Sequence, residues 1–230
     1  MARTADDGIR KEIIEVGMRI YSRGYVASND GNISARLGSD RILITPTGVS
    51  KGFMKPTDLI ILDLNGNILE GKRKPSSETA MHLQIYKARP DINSVCHAHP
   101  PYATGFAVAG IPLKKMILPE VIIVLGKIPL VEYGTTGTEK LYKKISKYVF
   151  DYDAFLLANH GAVTLGKNVL DAYHKMETLE HASQIQFIAK QLGNITTLDK
   201  KQTEELIELR DKFGIRKSVG IPSRSKPKKK

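Results

Sequence analysis

Ser94-Val95-Cys96-His97-Ala98-His99-Pro100-Pro101 is a short apolar run that carries two histidines and ends on two prolines. Proline lacks the N–H that a sheet ladder needs, so the strand stops directly after His99. Side chains alternate along a strand, which points His97 and His99 to one face with Cα atoms ~6.7 Å apart, close enough to share an ion. Taken alone the pair leaves two readings open, a metal site or two packed or exposed histidines. A second apolar run, 154–159, reads as another buried strand and delivers His160 at a tight turn before Gly161. Three imidazoles with an open fourth position are a recognised catalytic zinc arrangement. The competing reading of His160 is a turn histidine bonded to backbone.

Working outward, Ile9, Ile13, Val16 and Ile20 recur at helical spacing and predict a helix over 6–23, with Thr4 and Asp7 as a capping box and Gly24 as its terminator. Short strands are expected at 33–37, 41–45, 59–64 and 67–70, the last two joined by an Asn65-Gly66 turn. A second helix should begin after Ser76 or Ser77 and end near Pro90. A short helix follows the prolines through Ala109. Residues 121–125 are apolar and fit strand or helix equally. A helical pattern covers 136–148, a strand 162–165, a long helix 168–192 and a shorter one 203–210. Hairpins interleaved with helices indicate one α/β domain around a mixed or largely antiparallel sheet.

Ser76-Ser77-Glu78 opens the second helix. Unpaired N–H groups there face anions, so the serine pair suits a phosphate, and the helix end favours an ionised Glu78. An ionised carboxylate beside a metal-polarised carbonyl is what proton abstraction needs. Ordinary helix capping explains the same residues. The turns Asn29-Asp30-Gly31-Asn32 and Thr45-Pro46-Thr47-Gly48 expose backbone N–H groups that can form anion nests, or are simply turns. His82 shares a helical face with Glu78, and His174, Glu177 and His181 share another; both read first as salt-bridging faces rather than sites.

The chain has 230 residues, one cysteine and a formal net charge of +11. A lone Cys96 excludes an internal disulfide and a Cys-rich zinc site, so any metal falls to His or carboxylate. From Arg210 to Lys230 nine Lys/Arg face one acid, so the basic excess belongs to the end of the chain. That division gives a domain over 1–212 and a basic tail over 213–230, expected to be disordered and solvated rather than a nucleic-acid arm. No apolar run approaches the ~20 residues of a membrane span, and no signal-peptide core stands at the start, so a cytoplasmic protein without membrane contact is expected.

Five segments, SNDGNIS (28–34), ILITPTGVSKG (42–52), KPSSETAMH (74–82), VCHAHPPYA (95–103) and LLANHGAVTLG (156–166), together resemble the class II aldolase/adducin head family, and within it the L-fuculose-1-phosphate aldolase type. The resemblance spans about residues 8–195. It implies a three-layer α/β/α sandwich with a mainly antiparallel sheet. It also implies one Zn2+ per subunit on His97, His99 and His160, with Glu78 as acid/base. Gly31, Asn32, Thr47, Gly48, Ser76 and Ser77 would bind the phosphate of a small phosphorylated sugar. Family members typically form homotetramers, and the fuculose-phosphate aldolases borrow a tyrosine from the next subunit. Here the corresponding region reads ILPEVIIVLGK, without tyrosine, and Glu120 is the candidate second acid/base.

The implied activity is cleavage of a ketose 1-phosphate into dihydroxyacetone phosphate and a short aldehyde such as lactaldehyde. Three alternatives share the fold: a pentulose-5-phosphate 4-epimerase, a methylthioribulose-phosphate dehydratase and a non-catalytic adducin-like binding domain. The epimerases carry Asp where Glu78 stands, the dehydratases lack a Glu there, and a binding domain would be expected to lose metal ligands.

Overall fold

The computed structural model describes residues 5–215. Thr4, and the tail from 216 on, lie outside the described residues. Helix α1 (Ala5–Ser22) is followed by the antiparallel strands β1 (Asn32–Leu37) and β2 (Arg41–Ile44), then β3 (Ile60–Asp63) and β4 (Ile68–Glu70). Helix α2 (Thr79–Ala88) leads to β5 (Ser94–Ala98), α3 (Pro101–Val108) and α4 (Pro119–Val124). Strand β6 (Leu130–Val131), helix α5 (Glu139–Ile145) and strands β7 (Ala154–Leu157) and β8 (Gly161–Gly166) precede the long helix α6 (Val169–Leu192) and α7 (Lys200–Lys212).

The eight strands form one sheet in the order β4-β3-β2-β1-β5-β8-β7-β6, antiparallel throughout except for the parallel β6–β7 pair. Period-two alternation divides its side chains between two cores. Ile33, Ala35 and Leu37 of β1 and Cys96 and Ala98 of β5 pack with Ile13, Val16, Ile20, Tyr173, Met176 and Leu179, the apolar stripes of α1 and α6. Ile42, Ile44, Ile60, Leu62, Val95, Phe155 and Val163 pack with Met81, Ile85, Tyr86, Leu141 and Ile145 of α2 and α5. The result is the expected α/β/α sandwich. Asn32 and His97 are register partners on adjacent strands, and both leave the sheet on its α2 side.

Helix α1 ends as its sequence indicates: Gly24 adopts φ +68° and the Tyr25 N–H returns to Ile20 O. Asn168 caps α6 by accepting from the Asp171 N–H at 2.8 Å. Helix α2 corrects the reading of its start. The Pro46–Pro75 bridge and the Ser76 N–H to Thr45 O bond tie Pro75 and Ser76 to the chain at 45–46, and Ser77 and Glu78 form a turn closed by the Thr79 N–H on Ser76 O. The helix therefore begins at Thr79, and Glu78 is its N-cap residue, not a first-turn residue. Residues 121–125 fall mainly in helix α4, which carries Pro119 at its first position, where the missing N–H costs nothing. The helical pattern over 136–148 shrinks to Glu139–Ile145, because Gly137 turns the chain at φ +72° just before it.

Candidate active site

The three histidines meet at one end of the sheet. β5 ends at Ala98, so His97 is its penultimate residue and His99 lies just beyond; β7 and β8 are joined by the turn that carries His160. Asn159 takes φ +57° in that turn, a conformation asparagine tolerates. Ring centroids are 4.6–5.0 Å apart, and one nitrogen from each ring falls within 4.8 Å of the others. Gly161 makes this approach possible. A Cβ there would lie 2.6 Å from both Ala98 O and His99 Cδ2. Strand backbone cannot yield, so the His99 ring would. Gly161→Ala is expected to weaken metal affinity at least ~10-fold, the scale seen when ligand orientation is lost; a chelator competition that returns the wild-type constant would contradict this.

The donor set fits a divalent metal. His97 Nδ1 donates to Ala162 O at 2.9 Å, which leaves Nε2 to coordinate. Around that atom lie His99 Nε2 at 3.2 Å and Glu78 Oε2 at 3.0 Å. Acceptors converging this closely need a proton or a cation among them. Without an ion the proton sits on His97. Burial opposes its charge, but the charge and hydrogen bond of Glu78 and the Ala162 carbonyl outweigh burial and raise its pKa. Burial likewise opposes ionisation of Glu78. The charge and hydrogen bond of His97, then His160 and Asn32, reverse this and hold the carboxyl well below the usual range. Burial and the neighbouring His97 push His99 down to about 3 and His160 to about 4, so both offer lone pairs at neutral pH.

Glu78 has two unlike oxygens. Oε2 accepts from Asn32 Nδ2 at 2.9 Å and from His97. Oε1 is buried, has no hydrogen-bond partner among the described residues and lies 3.5 Å from His160 Nε2. Beside it opens a cleft of about 340 Å³, the size of a small-metabolite site. Gly31, Asn32, Thr47, Gly48, Ser76 and Ser77 all line it, together with Glu78, His99 and His160. Gly48 at φ +71° and Gly31 at φ +72° shape its two glycine turns. The Ser76 hydroxyl accepts the Glu78 N–H at 3.2 Å and keeps its own hydrogen to donate.

Glu120 is not part of this cleft. It is exposed at the start of α4, a helix tied to α7 by Arg210 Nη1 donating to Ile122 O at 3.0 Å. Two contributors escaped the sequence reading. Thr136 lines the cleft from the loop before α5. Lys51, almost wholly buried, donates to Asn29 O at 3.0 Å and Val49 O at 2.7 Å and so ties the two glycine turns together. Burial draws its pKa down to about 8 against the pull of Asp30. The Val-Ser-Lys-Gly context of Lys51 gave no sign of burial, since lysine is normally solvated. His174 and His181 sit apart on α6, and Glu177 pairs with Arg23 at 2.7 Å, as a salt-bridging face should.

The family model for the class II aldolase and adducin N-terminal domain matches residues 11–187. The chain is 42% identical over 181 residues to an L-fuculose phosphate aldolase of Methanococcus maripaludis, covering 79% of this chain and 97% of that one. It is 36% identical over 186 residues to a 3-oxo-tetronate 4-phosphate decarboxylase of Haemophilus influenzae, covering 79% and 88%. A solved structure of an L-fuculose 1-phosphate aldolase superposes with a TM-score of 0.82 at 32% identity, over 94% of this chain and 99% of that one.

Proposed function

We propose, from the premise that this chain belongs to the class II aldolase and adducin N-terminal domain family, that it is a zinc-dependent aldolase. It would cleave a ketose 1-phosphate of the L-fuculose 1-phosphate kind to dihydroxyacetone phosphate and a short aldehyde such as lactaldehyde. The observation that carries this reading is Glu78 Oε1, an unpartnered carboxylate oxygen between three imidazoles and a cleft lined by serines and glycine turns.

His97, His99 and His160 would hold the ion, which when bound supplies Lewis acidity to the ketose carbonyl and its neighbouring hydroxyl. The glycine turns with Ser76 and Ser77 bind the phosphate through backbone N–H and hydroxyl donors, fixing the C1 end of the substrate. As the C3–C4 bond breaks, the C4 hydroxyl gives its proton to a base and its oxygen becomes the aldehyde carbonyl, and the enediolate left behind is protonated at C3 by Glu78, which shuttles that proton in from solvent. Oε1 is the oxygen that carries it, because Oε2 is held by Asn32. Burial of the cleft floor makes this proton transfer and the charge stabilisation more effective than in water.

Glu120 of a neighbouring subunit is the candidate acceptor of the C4 hydroxyl proton, which makes a homotetramer part of the proposal. Exposed Phe187, Ile188 and Leu192 on α6 and Val108 on α3 support assembly. Among the described residues no helix is long and apolar enough to cross a membrane; a cytoplasmic enzyme is the reading that goes with a phosphorylated sugar substrate.

The Haemophilus relative supports a second reading, loss of CO2 from a 3-oxo acid phosphate in the same cleft. One screen separates the two. Zinc-loaded protein is expected to release dihydroxyacetone phosphate from a panel of ketose 1-phosphates. Release of CO2 from 3-oxo-tetronate 4-phosphate, with no ketose cleaved, would replace the aldolase reading with the decarboxylase one.

A further inference from the structure

His82 takes no part in the chemistry described above, yet its ring is wholly buried at the middle of a line of hydrogen bonds that ends on Glu78. Its Nε2 lies 2.5 Å from Asn32 Oδ1, and its Nδ1 lies 2.6 Å from Ser34 Oγ. Ser34 Oγ in turn is 2.8 Å from the Tyr86 hydroxyl. Asn32 Nδ2 completes the line at 2.9 Å from Glu78 Oε2. The spacing that builds it is simple. Asn32 and Ser34 alternate onto one face of β1, while His82 and Tyr86 share one face of α2 four residues apart, with Glu78 four residues earlier at its N-cap.

Each direction in the line follows from the one before. An ionised carboxylate can only accept, so Asn32 turns its NH2 group to Glu78 and its carbonyl oxygen to His82. That oxygen can only accept, so the ring proton of His82 is on Nε2. A neutral imidazole then has its lone pair on Nδ1, where the Ser34 hydroxyl donates, and Tyr86 donates to Ser34. Burial pushes the His82 pKa down to about 3, against the pull of Glu78, and keeps the ring neutral. Every hydrogen points towards the carboxylate. A flipped Asn32 amide would set oxygen against oxygen at Glu78 and N–H against N–H at His82.

We propose that His82 is a positioning residue for Glu78: its Nε2–H fixes the orientation of the Asn32 amide, which holds Oε2 and leaves Oε1 to carry the proton. This rests on the reading of Glu78 as the proton carrier. It assigns the aligned Tyr86–Ser34–His82–Asn32 hydrogen bonds a task that packing alone would not require.

Nitrogen-15 spectra of the full-length protein test the geometry without turnover. At neutral pH the His82 ring is expected to be protonated on Nε2; protonation on Nδ1 overturns the proposal. His82→Leu removes the donor but keeps apolar volume, and His82→Gln restores an N–H. His82→Leu is expected to keep its zinc and bind dihydroxyacetone phosphate within about threefold of wild type. It should exchange the substrate's C3 proton ~10–100-fold more slowly, the usual cost of a lost orienting partner. His82→Gln should recover most of that rate. If His82→Leu does not fold, Ser34→Ala carries the test, since losing its O–H frees the ring to take the other tautomer and should slow exchange likewise. Wild-type exchange per bound zinc in the folded variants would reduce His82 to a core residue. A wild-type protein that holds zinc but exchanges no proton would instead sink the aldolase reading. The carbon-13 shift of the Glu78 carboxyl then decides the relay alone, moving in the folded variant if His82 positions it and staying put if it does not.

Discussion

His99→Ala and His160→Ala should each lose the bound ion and nearly all turnover while the fold persists. The choice of these two follows from burial. The His97 side chain is completely buried and satisfies the Ala162 carbonyl, so its removal would leave a cavity and an orphaned acceptor. The side chains of His99 and His160 keep 25% and 15% of their surface, and each stands at a strand end rather than within the sheet. Removing either leaves two imidazoles, which cannot hold an ion in catalytic geometry. A Lewis acid contributes several kcal/mol to the stabilisation of developing charge, so turnover should fall by ~10³-fold or more. Metal analysis of dialysed protein checks the first half and circular dichroism the second. Full zinc occupancy in either variant would remove that histidine from the ligand set.

Much of this site was legible because its signals are local. The proline stop after His99 and the glycine turn after His160 are read from neighbouring residues, and both histidines do stand at strand ends. Helices α1 and α6 were equally plain, since each carries a long apolar stripe at helical spacing. What escaped depends on pairing across the chain. The serine pair looked like the start of α2, but residues 45–46 hold Pro75 and Ser76, so the chain must still turn through Ser77 and Glu78 before the helix begins, and no local pattern announces that bridge. Strand β6 is two residues long and exists only because β7 lies beside it. His82 read as part of a charged helix face. Its burial is fixed by Asn32 and Ser34, some fifty residues earlier, and only the β1–α2 contact reveals it. Lys51 is the same case: its ammonium is buried because two backbone carbonyls from separate turns converge on it.

Glu78→Gln should bind zinc and dihydroxyacetone phosphate normally yet exchange the C3 hydroxymethyl proton with solvent at least ~100-fold more slowly, the scale of a lost general acid/base. The variant is close to isosteric. Its carbonyl oxygen can still accept from Asn32 Nδ2, so the orientation of the side chain survives while its ability to take a proton does not. As the residue just before the first turn of α2, it makes no side-chain cap bond, so the substitution removes no cap from the helix. In this proposal the three histidines are the ligands, so zinc content should hold as well. The geometry therefore separates the two roles that the sequence left joined at this position, helix start and proton carrier. A carbon acid next to a polarised carbonyl needs a base that is ionised, close and not already saturated with hydrogen bonds. Glu78 meets all three conditions: the positive charge beside it, the His97 proton or an ion bound in its place, keeps it ionised, the cleft lies against it, and Oε1 has no hydrogen-bond partner among the described residues. Glu120, exposed on α4 and outside the cleft of its own chain, meets them only if a neighbouring subunit brings it in. Exchange at the wild-type rate in Glu78→Gln would leave Glu78 as a helix start alone and pass the role to Glu120, whose Glu120→Gln variant would then have to show the loss.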